Sequence, residues 1–195
     1  MNANNPEKKE GTVLFCDIRN FTSLFDEKDP FEAVEFANTV LAVLGEVVEE
    51  SGGTVDRFTG DGFLAHFGFS ETADHHAALA ADACILIRKK LNEINANRYF
   101  KVESVVSVGI GINSGVAAYC KLETNQLKQT TVLGDMVNTA ARIEEMTKYF
   151  MVDILFSEST FQQINDNYLF QKLPLKSIRG KKEPVQTYWF LPTNT

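Results

Sequence analysis

The amino-acid sequence predicts a single domain of the α+β class. The chain has 195 residues, the length of one ordinary domain, with 44% hydrophobic and 23% charged residues. Short apolar runs typical of strands alternate with two long segments whose apolar residues recur at helical spacing. Glycine-containing turns, such as Gly52-Gly53 and Gly60-Asp61-Gly62, separate these segments. The resulting order is strand, helix, strand, strand, helix, strand.

The first half of the chain carries the clearest signals. Residues 12–16 are an apolar run that predicts a buried strand. A helix is expected to begin at Asp29-Pro30, because Asp caps free amides and Pro suits the first helical position. Glu32 completes a capping box, and the helical pattern continues to Glu50. We expect hairpin strands at 54–59 and 63–67, followed by a second helix at 73–95.

The second half contains shorter elements. An apolar strand is expected at 104–112, a turn at Asn113-Ser114-Gly115, a short strand at 116–119 and a polar loop at 121–129. The remaining predictions are a strand at 130–133, a helix at 134–148, a strand at 152–156, a helix capped by Ser157 that runs to Ile164, and two strands at 168–178 and 184–191.

The predicted β-α-β-β-α-β order is the ferredoxin-like arrangement, an antiparallel sheet with its helices on one face. The C-terminal strands extend this core. Residues 11–195 are expected to form the domain, and the polar residues 1–10 a tail or the remnant of a linker.

Charge and cysteine content exclude several functions. The net charge of −7 argues against nucleic-acid binding, so a phosphate-bearing ligand needs a local basic cluster. Cys16, Cys84 and Cys120 are odd in number and widely spaced, which predicts reduced thiols and a cytoplasmic location. No apolar run is long enough to span a membrane, so this domain is expected to make no membrane contact.

Two aspartates stand where predicted strands end in turns. Asp17 follows the first apolar run, and Asp61 lies between Gly60 and Gly62. Because burying an unpaired charge is costly, both carboxylates should remain at the mouth of the sheet. There they can hold a hard cation such as Mg²⁺, or they can form ordinary turns stabilised by their own side chains.

A second polar pair lies on the predicted helix at 134–148. Asn138 and Arg142 are four residues apart, so they share a helix face. An amide beside a guanidinium suits a sugar hydroxyl and a phosphate. Considered alone, this pair is better explained as part of a solvated helix face.

Asp17, Asp61 and the Asn138–Arg142 pair lie in three sequence motifs that follow one another along the chain. The motifs are Phe15-Cys16-Asp17-Ile18-Arg19-Asn20-Phe21-Thr22, Phe58-Thr59-Gly60-Asp61, and Gly134-Asp135-Met136-Val137-Asn138-Thr139-Ala140-Ala141-Arg142. With this order, and with Asp61 standing 44 positions after Asp17, the chain resembles the class III adenylyl/guanylyl cyclase catalytic domain. The resemblance extends from Gly11 to Leu191.

The resemblance implies a metal and phosphate site. Asp17, Asp61 and the backbone carbonyl of Ile18 would hold two Mg²⁺ or Mn²⁺ ions. The backbone at Phe21 and Thr22 would bind the triphosphate. By the same resemblance, Asn138 would orient the ribose, Arg142 would stabilise charge on the α-phosphate, and Arg179 with Lys181 would bind the terminal phosphates.

Base choice in the family depends on two positions, which here hold Arg57 and Thr131. Thr131 matches the adenylyl set, because its hydroxyl can accept from the adenine 6-amino group. Arg57 matches neither set, although it can donate to adenine N1 as lysine does. We therefore expect ATP as the substrate. GTP remains an alternative because arginine can donate to guanine O6 and N7. The bulk of arginine can also favour a smaller pyrimidine base.

The family also implies an assembly. Active sites would form at the interface of a homodimer, with Asp17 and Asp61 from one chain and Asn138 and Arg142 from the other. The domain would then be the output part of a signalling protein, such as a longer receptor. Residues 120–123 lack the glycines that many relatives have in this segment. Because the segment belongs to the dimer arm in the family, the change affects the expected geometry of the interface but not the chemistry. The competing interpretations are a diguanylate-cyclase-like enzyme and an inactive cyclase-like regulatory module.

Overall fold

The computed structural model describes residues 6–26, 29–70, 74–97, 105–123 and 128–192. The strands are β1 (Glu7–Ile18), β2 (Thr54–Phe58), β3 (Gly62–Phe67), β4 (Val108–Glu123), β5 (Lys128–Leu133), β6 (Ile154–Ser157), β7 (Phe170–Lys172) and β8 (Thr187–Phe190). The helices are α1 (Phe21–Leu24), α2 (Pro30–Glu50), α3 (His76–Asn97), α4 (Asp135–Phe150) and α5 (Glu158–Ile164).

The predicted β-α-β-β-α-β core is confirmed as β1-α2-β2-β3-α3-β4. The eight strands form one sheet in the order β2-β3-β1-β4-β6-β8-β7, and β5 pairs with β4. Every described pairing is antiparallel except that of β4 with β6. The α+β class and the mainly antiparallel sheet therefore match the sequence prediction.

Helices cover both faces of this sheet. Leu14 and Cys16 of β1 point into the core formed with α2 and α3. Val13, which precedes Leu14 and therefore points to the opposite face of the strand, packs instead with Val137 and Ala140 of α4. Thus α2 and α3 share one face, as the core pattern predicts, while α4 covers the other face.

The first strand begins earlier than expected. Residues 7–10, predicted to belong to a polar tail, are the first four residues of β1. They pair with residues 116–119 of β4, and Lys9 also donates to the carbonyl of Phe69 at 3.0 Å. Charged side chains suit this part of the strand because they are largely exposed, so the pairing is formed by the backbone. The predicted tail at 1–10 is wrong for these four residues.

Strand β4 replaces four predicted elements. The expected turn at Asn113-Ser114-Gly115 is wrong, because these residues pair with β1 in the middle of a 16-residue strand. The side chain of Asn113 donates to the carbonyl of Met136 at 2.9 Å, and Ser114 bonds to Thr12 at 2.7 Å. Their polar side chains thus serve tertiary contacts. The predicted loop at 121–129 is also wrong at 121–123 and 128–129, which pair as β4 and β5; residues 124–127 lie outside the described residues.

Helix ends agree better with the sequence. Asp29 caps α2 through a hydrogen bond from the Phe31 N–H at 3.0 Å, and Pro30 is its first residue. Helix α3 begins at His76, and the predicted start at 73 lies outside the described residues. The C-terminal strands are much shorter than the predicted spans, with only an isolated bridge between Lys176 and Val185. No helix in the described segments has the length and apolar character needed to cross a bilayer.

Two glycines let α4 lie directly on β4. A Cβ on Gly111 would approach the backbone of Glu144 and Ala140 far more closely than the 3.0 Å limit of real Cβ contacts. A Cβ on Gly109 would meet the Glu144 side chain in the same way. Because the obstacle at Gly111 is helix backbone, the helix itself would have to move. These glycines therefore set the position of α4.

Replacing Gly111 should consequently be costly. We expect Gly111→Ala to lower the free energy of unfolding by about 3 kcal/mol, since the added methyl displaces α4. The matched control is Gly115→Ala on the same strand, where the nearest side-chain atom would be 3.6 Å away. That control should change stability by less than about 1 kcal/mol. Urea unfolding measures both values, and equal effects would contradict the close-packing account.

Candidate active site

The two predicted metal-binding aspartates meet where β1 and β3 end. Asp17 is the penultimate residue of β1 and pairs with Gly62. The Ile18 N–H donates to the carbonyl of Asp61 at 2.9 Å. A side chain at Gly62 would collide with the carbonyl of Cys16, so glycine is what allows this approach. The 44-residue separation in sequence is thus closed by direct strand pairing.

The two carboxylates affect each other's surroundings. Burial, and then the negative charge of Asp17, raise the pKa of Asp61. Lys148, from the last turn of α4, lies with its Nζ 3.0 Å from Oδ2 of Asp17. That hydrogen bond raises the pKa of Lys148. The Lys148 ammonium group therefore lies close to the place where a metal cation is predicted to bind.

These residues fit a divalent cation of the magnesium type. Across the segments that the structure describes, no three His, Cys, Asp or Glu side chains converge as a complete metal cage. Magnesium usually takes one or two carboxylates together with waters and substrate phosphates, and Mn²⁺ accepts similar oxygen ligands. Asp17, Asp61 and the carbonyl of Ile18 provide such a partial set at one edge of the sheet. Phosphate oxygens would complete it.

A buried ion pair lies beneath the carboxylates. Arg19 Nη1 is 3.9 Å from Oε1 of Glu144, and Arg19 Nη2 donates to Thr147 and to the carbonyl of Val152. Burial, followed by the charge of Asp17, raises the pKa of Glu144 to about 7. Burial also lowers the pKa of Arg19. These groups tie α4 to the end of β1.

The predicted triphosphate-binding backbone forms the short helix α1. Asn20 precedes it in the left-handed conformation, with φ of 55°. The first amides of a helix have no partner within the helix, so those of Phe21 and Thr22 can donate to phosphate oxygens. The Phe21 ring packs against Phe25, 5.2 Å between centroids, while Thr22 is exposed. A depression of about 410 Å³ borders Asn20 and Lys148.

The residues predicted to bind ribose and phosphate form a second cluster, on and beside α4. Asn138 is exposed and Arg142 is half-buried. Gly180 lies against the Arg142 guanidinium, because a Cβ there would be 3.1 Å from its Nη1. Lys181 forms an ion pair with Asp135 in the first turn of the helix, and Arg179 is exposed. The basic turn and the helix pair, distant in sequence, are therefore neighbours.

The two predicted base-contacting residues touch each other. Arg57 Nη1 donates to Oγ1 of Thr131 at 2.8 Å and to Oδ1 of Asp56 at 2.8 Å. Thr131 is fully buried beneath this arginine, whose side chain is 37% exposed. The face presented to a ligand is therefore that of Arg57. Contact between a base and the Thr131 hydroxyl requires Arg57 to move.

The two clusters lie toward opposite ends of α4. Lys148, which contacts Asp17, follows Asn138 by ten residues, about 15 Å along the helix axis. Arg142 is six residues, about 9 Å, from Lys148 along the same axis. One chain thus holds the carboxylates near the C-terminal end of α4, whereas Asn138 lies near the N-terminal end and Arg142 lies near the middle.

Sequence patterns did not identify four charged members of these clusters. Asp56 and Arg19 are neighbours of predicted residues, so they carried a weak signal. No sequence pattern indicated Glu144 or Lys148, since their partners are more than a hundred residues away in the chain. Only the docking of α4 on β4 brings them to Asp17.

Known proteins match this chain over nearly its full length. The profile of the family described as the adenylate and guanylate cyclase catalytic domain matches residues 4–192. An adenylate cyclase of Anabaena cylindrica is 34% identical over 184 residues, covering 91% of this chain and 36% of that protein. The chain therefore spans about a third of the length of that relative.

Solved structures agree with the sequence matches. The adenylyl cyclase CyaB from P. aeruginosa superposes with a TM-score of 0.88 at 25% identity, covering 97% of each chain. The guanylyl cyclase Cya2 also gives 0.88, at 26% identity, covering 97% of this chain and 95% of that one. With the family match over almost every residue, the chain belongs to the family of adenylate and guanylate cyclase catalytic domains.

Proposed function

We propose that this domain converts ATP to 3′,5′-cyclic AMP and pyrophosphate and serves as the output of a signalling protein. The observation that carries the proposal is the coexistence of two complementary half-sites on the family fold. One half-site contains Asp17 and Asp61, and the other contains Asn138 and Arg142. An inactive regulatory module would have no need of both intact sets.

The active site is formed between two copies of the chain. In-line attack on a phosphate requires the cation ligands and the phosphate-binding arginine within a few ångströms of the same triphosphate. The spacing along α4 supports a shared site, because Asn138 and Lys148, whose Nζ contacts Asp17, are about 15 Å apart along the helix axis of one chain. A two-fold homodimer brings the carboxylates of one copy to α4 of the other, and it does so twice.

Each residue has a distinct role in cyclisation. Asn138 holds the ribose so that its 3′-hydroxyl faces the α-phosphorus, and Arg142 places positive charge beside the oxygens that become more negative. A well-placed donor of this kind is typically worth about 3–4 kcal/mol in the transition state. The amides of Phe21 and Thr22, together with Arg179 and Lys181, bind the β- and γ-phosphates that leave as pyrophosphate.

The carboxylates of Asp17 and Asp61 would hold the divalent ions. When bound, two such ions activate the attacking hydroxyl and stabilise the leaving group. Lys148 would then give up its hydrogen bond to Asp17, whose carboxylate would serve as a metal ligand. Both Mg²⁺ and Mn²⁺ suit this oxygen-rich set.

The base pocket supports adenine over guanine. Guanine presents two donors, N1–H and the 2-amino group, which require an acceptor such as glutamate. Arg57 cannot accept a hydrogen bond, and the buried Asp56 beside it would repel a carboxylate at position 57. Adenine N1 is an acceptor that Arg57 can serve. The Anabaena relative, named an adenylate cyclase, agrees with this choice, whereas the similarity to Cya2 keeps GTP as the second candidate.

The cellular setting follows from the chemistry. Cys16 and Cys84 are buried free thiols, and Cys120 is a half-buried one, which suits a reducing compartment. We place the domain in the cytoplasm, where ATP is available. Since the relatives are longer proteins, a separate sensor segment would provide the input signal.

The metal assignment predicts the effect of single neutral substitutions. Asp17→Asn and Asp61→Asn should each lower turnover by about a hundredfold or more, because an amide is a poor ligand for a hard cation. Mn²⁺ should raise the melting temperature of the wild type but not of either variant. Asp166→Asn, an exposed carboxylate remote from both clusters, is the matched control and should behave as wild type.

The same variants separate metal binding from folding. Because burial and the charge of Asp17 raise the pKa of Asp61, the ionised Asp61 carboxylate lowers the stability of the folded protein relative to the unfolded chain at neutral pH. Asp61→Asn should therefore melt no lower than the wild type when no metal is present. Near-normal activity of either variant with Mg²⁺ would contradict the assignment.

The substrate assignment predicts the result of a nucleotide panel. With Mn²⁺ and each of ATP, GTP, CTP and UTP, we expect the highest kcat/KM for ATP, with cyclic AMP identified by mass. Arg57→Met should lower kcat/KM for ATP about tenfold, through the loss of one charged hydrogen bond. Faster formation of cyclic GMP or of a cyclic pyrimidine nucleotide by the wild type would overturn the choice of ATP.

A further inference from the structure

Asp56 occupies an irregular position in the hairpin. The pairing of β2 with β3 shifts register between Val55 and Arg57, so Asp56 is the additional residue of a β-bulge. Bulges redirect a side chain that regular pairing would aim elsewhere. Here the redirected carboxylate reaches β5, which is separated from β2 by β3, β1 and β4 in the order of the sheet.

The Asp56 carboxylate is completely buried, and both of its oxygens accept hydrogen bonds. Its side chain has no exposed surface. Oδ1 accepts from Arg57 Nη1 at 2.8 Å and from the Thr131 hydroxyl at 2.9 Å, and Oδ2 accepts from the Val132 N–H at 3.1 Å. One carboxylate thus joins both base-contacting residues and the strand that carries one of them.

These bonds fix the protons of the pocket. Thr131 has one hydroxyl proton, and it is donated to Asp56, so the oxygen faces Arg57 as an acceptor. Both hydrogens of Arg57 Nη1 are used by Asp56 and Thr131. Within the described segments, Nε and Nη2 of Arg57 have no acceptor, and the side chain is 37% exposed. The pocket consequently presents hydrogen-bond donors at a fixed position.

We propose that Asp56 is a base-specificity residue, which acts by holding Arg57 and Thr131 in the donor-presenting arrangement. The inference rests on the proposed nucleotide cyclase function. It adds that discrimination between bases depends on a buried carboxylate that never touches the nucleotide. Asp56 is therefore a positioning residue.

A purely structural role for Asp56 predicts a different outcome. If the carboxylate only fastened β5 to the hairpin, its loss would weaken binding of every nucleotide equally. If it positions Arg57, its loss should weaken discrimination among bases. The ratio of dissociation constants between bases separates these two roles, since a uniform loss cancels in the ratio.

The test measures binding without turnover. The 3′-deoxy analogues of ATP, GTP, CTP and UTP lack the attacking hydroxyl, so their dissociation constants can be measured by calorimetry with Mn²⁺. We expect the wild type to bind its preferred base at least about tenfold more tightly than the poorest, as one charged hydrogen bond allows. In Asp56→Asn, which keeps an oxygen for the Val132 N–H, that ratio should fall below about threefold.

Three further variants make the test specific. Asp153→Asn removes another carboxylate that is paired with an arginine, Arg88, and should leave the ratio unchanged. Arg57→Met should reduce the ratio as Asp56→Asn does, and the double variant should show no further reduction, because both act through the same guanidinium. Thr131→Val, which removes one of the two contacts of Nη1, should reduce the ratio by about threefold and provides the test if Asp56→Asn does not fold.

The outcomes are distinguishable from failure of the proposed function. A wild type that prefers guanine or a pyrimidine rejects ATP as substrate, yet a loss of that preference in Asp56→Asn still supports the inference. An unchanged ratio in Asp56→Asn, or in Thr131→Val if the first variant is unfolded, overturns it. Equal weakening for all four analogues overturns it as well.

Discussion

The packing of α4 on the glycines of β4 is the constraint on which the rest of the site depends. Gly111 has no room for a side chain against the helix backbone, so the helix has one position on the sheet. That position sets Lys148 against Asp17 and Glu144 beneath it, while Asn138 lies in the first turns and Arg142 near the middle of the helix. The geometry of both residue clusters therefore depends on Gly109 and Gly111, which have no side chain to hold α4 away from β4.

Electrostatics distinguishes the two half-sites. Around Asp17 and Asp61, negative charge is partly buried: the pKa values of Asp61 and Glu144 are raised, and Lys148 and Arg19 are drawn in. Such a cluster gains stability from a divalent cation. The opposite end of α4 carries Arg142 beside the basic turn, in a chain whose net charge is −7. This complementarity supports the proposal that an acidic protein binds a triphosphate between two copies of its chain.

Local sequence signals identified much of the fold and provided the candidates for the site. The capped start of α2 and the Gly60-Asp61-Gly62 turn are determined by neighbouring residues, and both were predicted correctly. The three motifs also contain Asp17, Asp61, Asn138 and Arg142, whose roles in the site remain predictions. Asn113-Ser114-Gly115 has the composition of a turn but serves tertiary hydrogen bonds within β4, which local preference cannot reveal. Asp56 and Lys148 acquire their roles only through contacts made in the folded chain.

The central claim is that one catalytic site uses both chains, and mixing two inactive variants tests it directly. In a mixed dimer of Asp17→Asn with Arg142→Ala, one site carries both lesions and the other carries neither. With equal amounts and random exchange, half the dimers are mixed and each has one intact site of two, so activity should recover to about a quarter of wild type. A mixture that stays inactive after chain exchange has been confirmed would contradict the shared site.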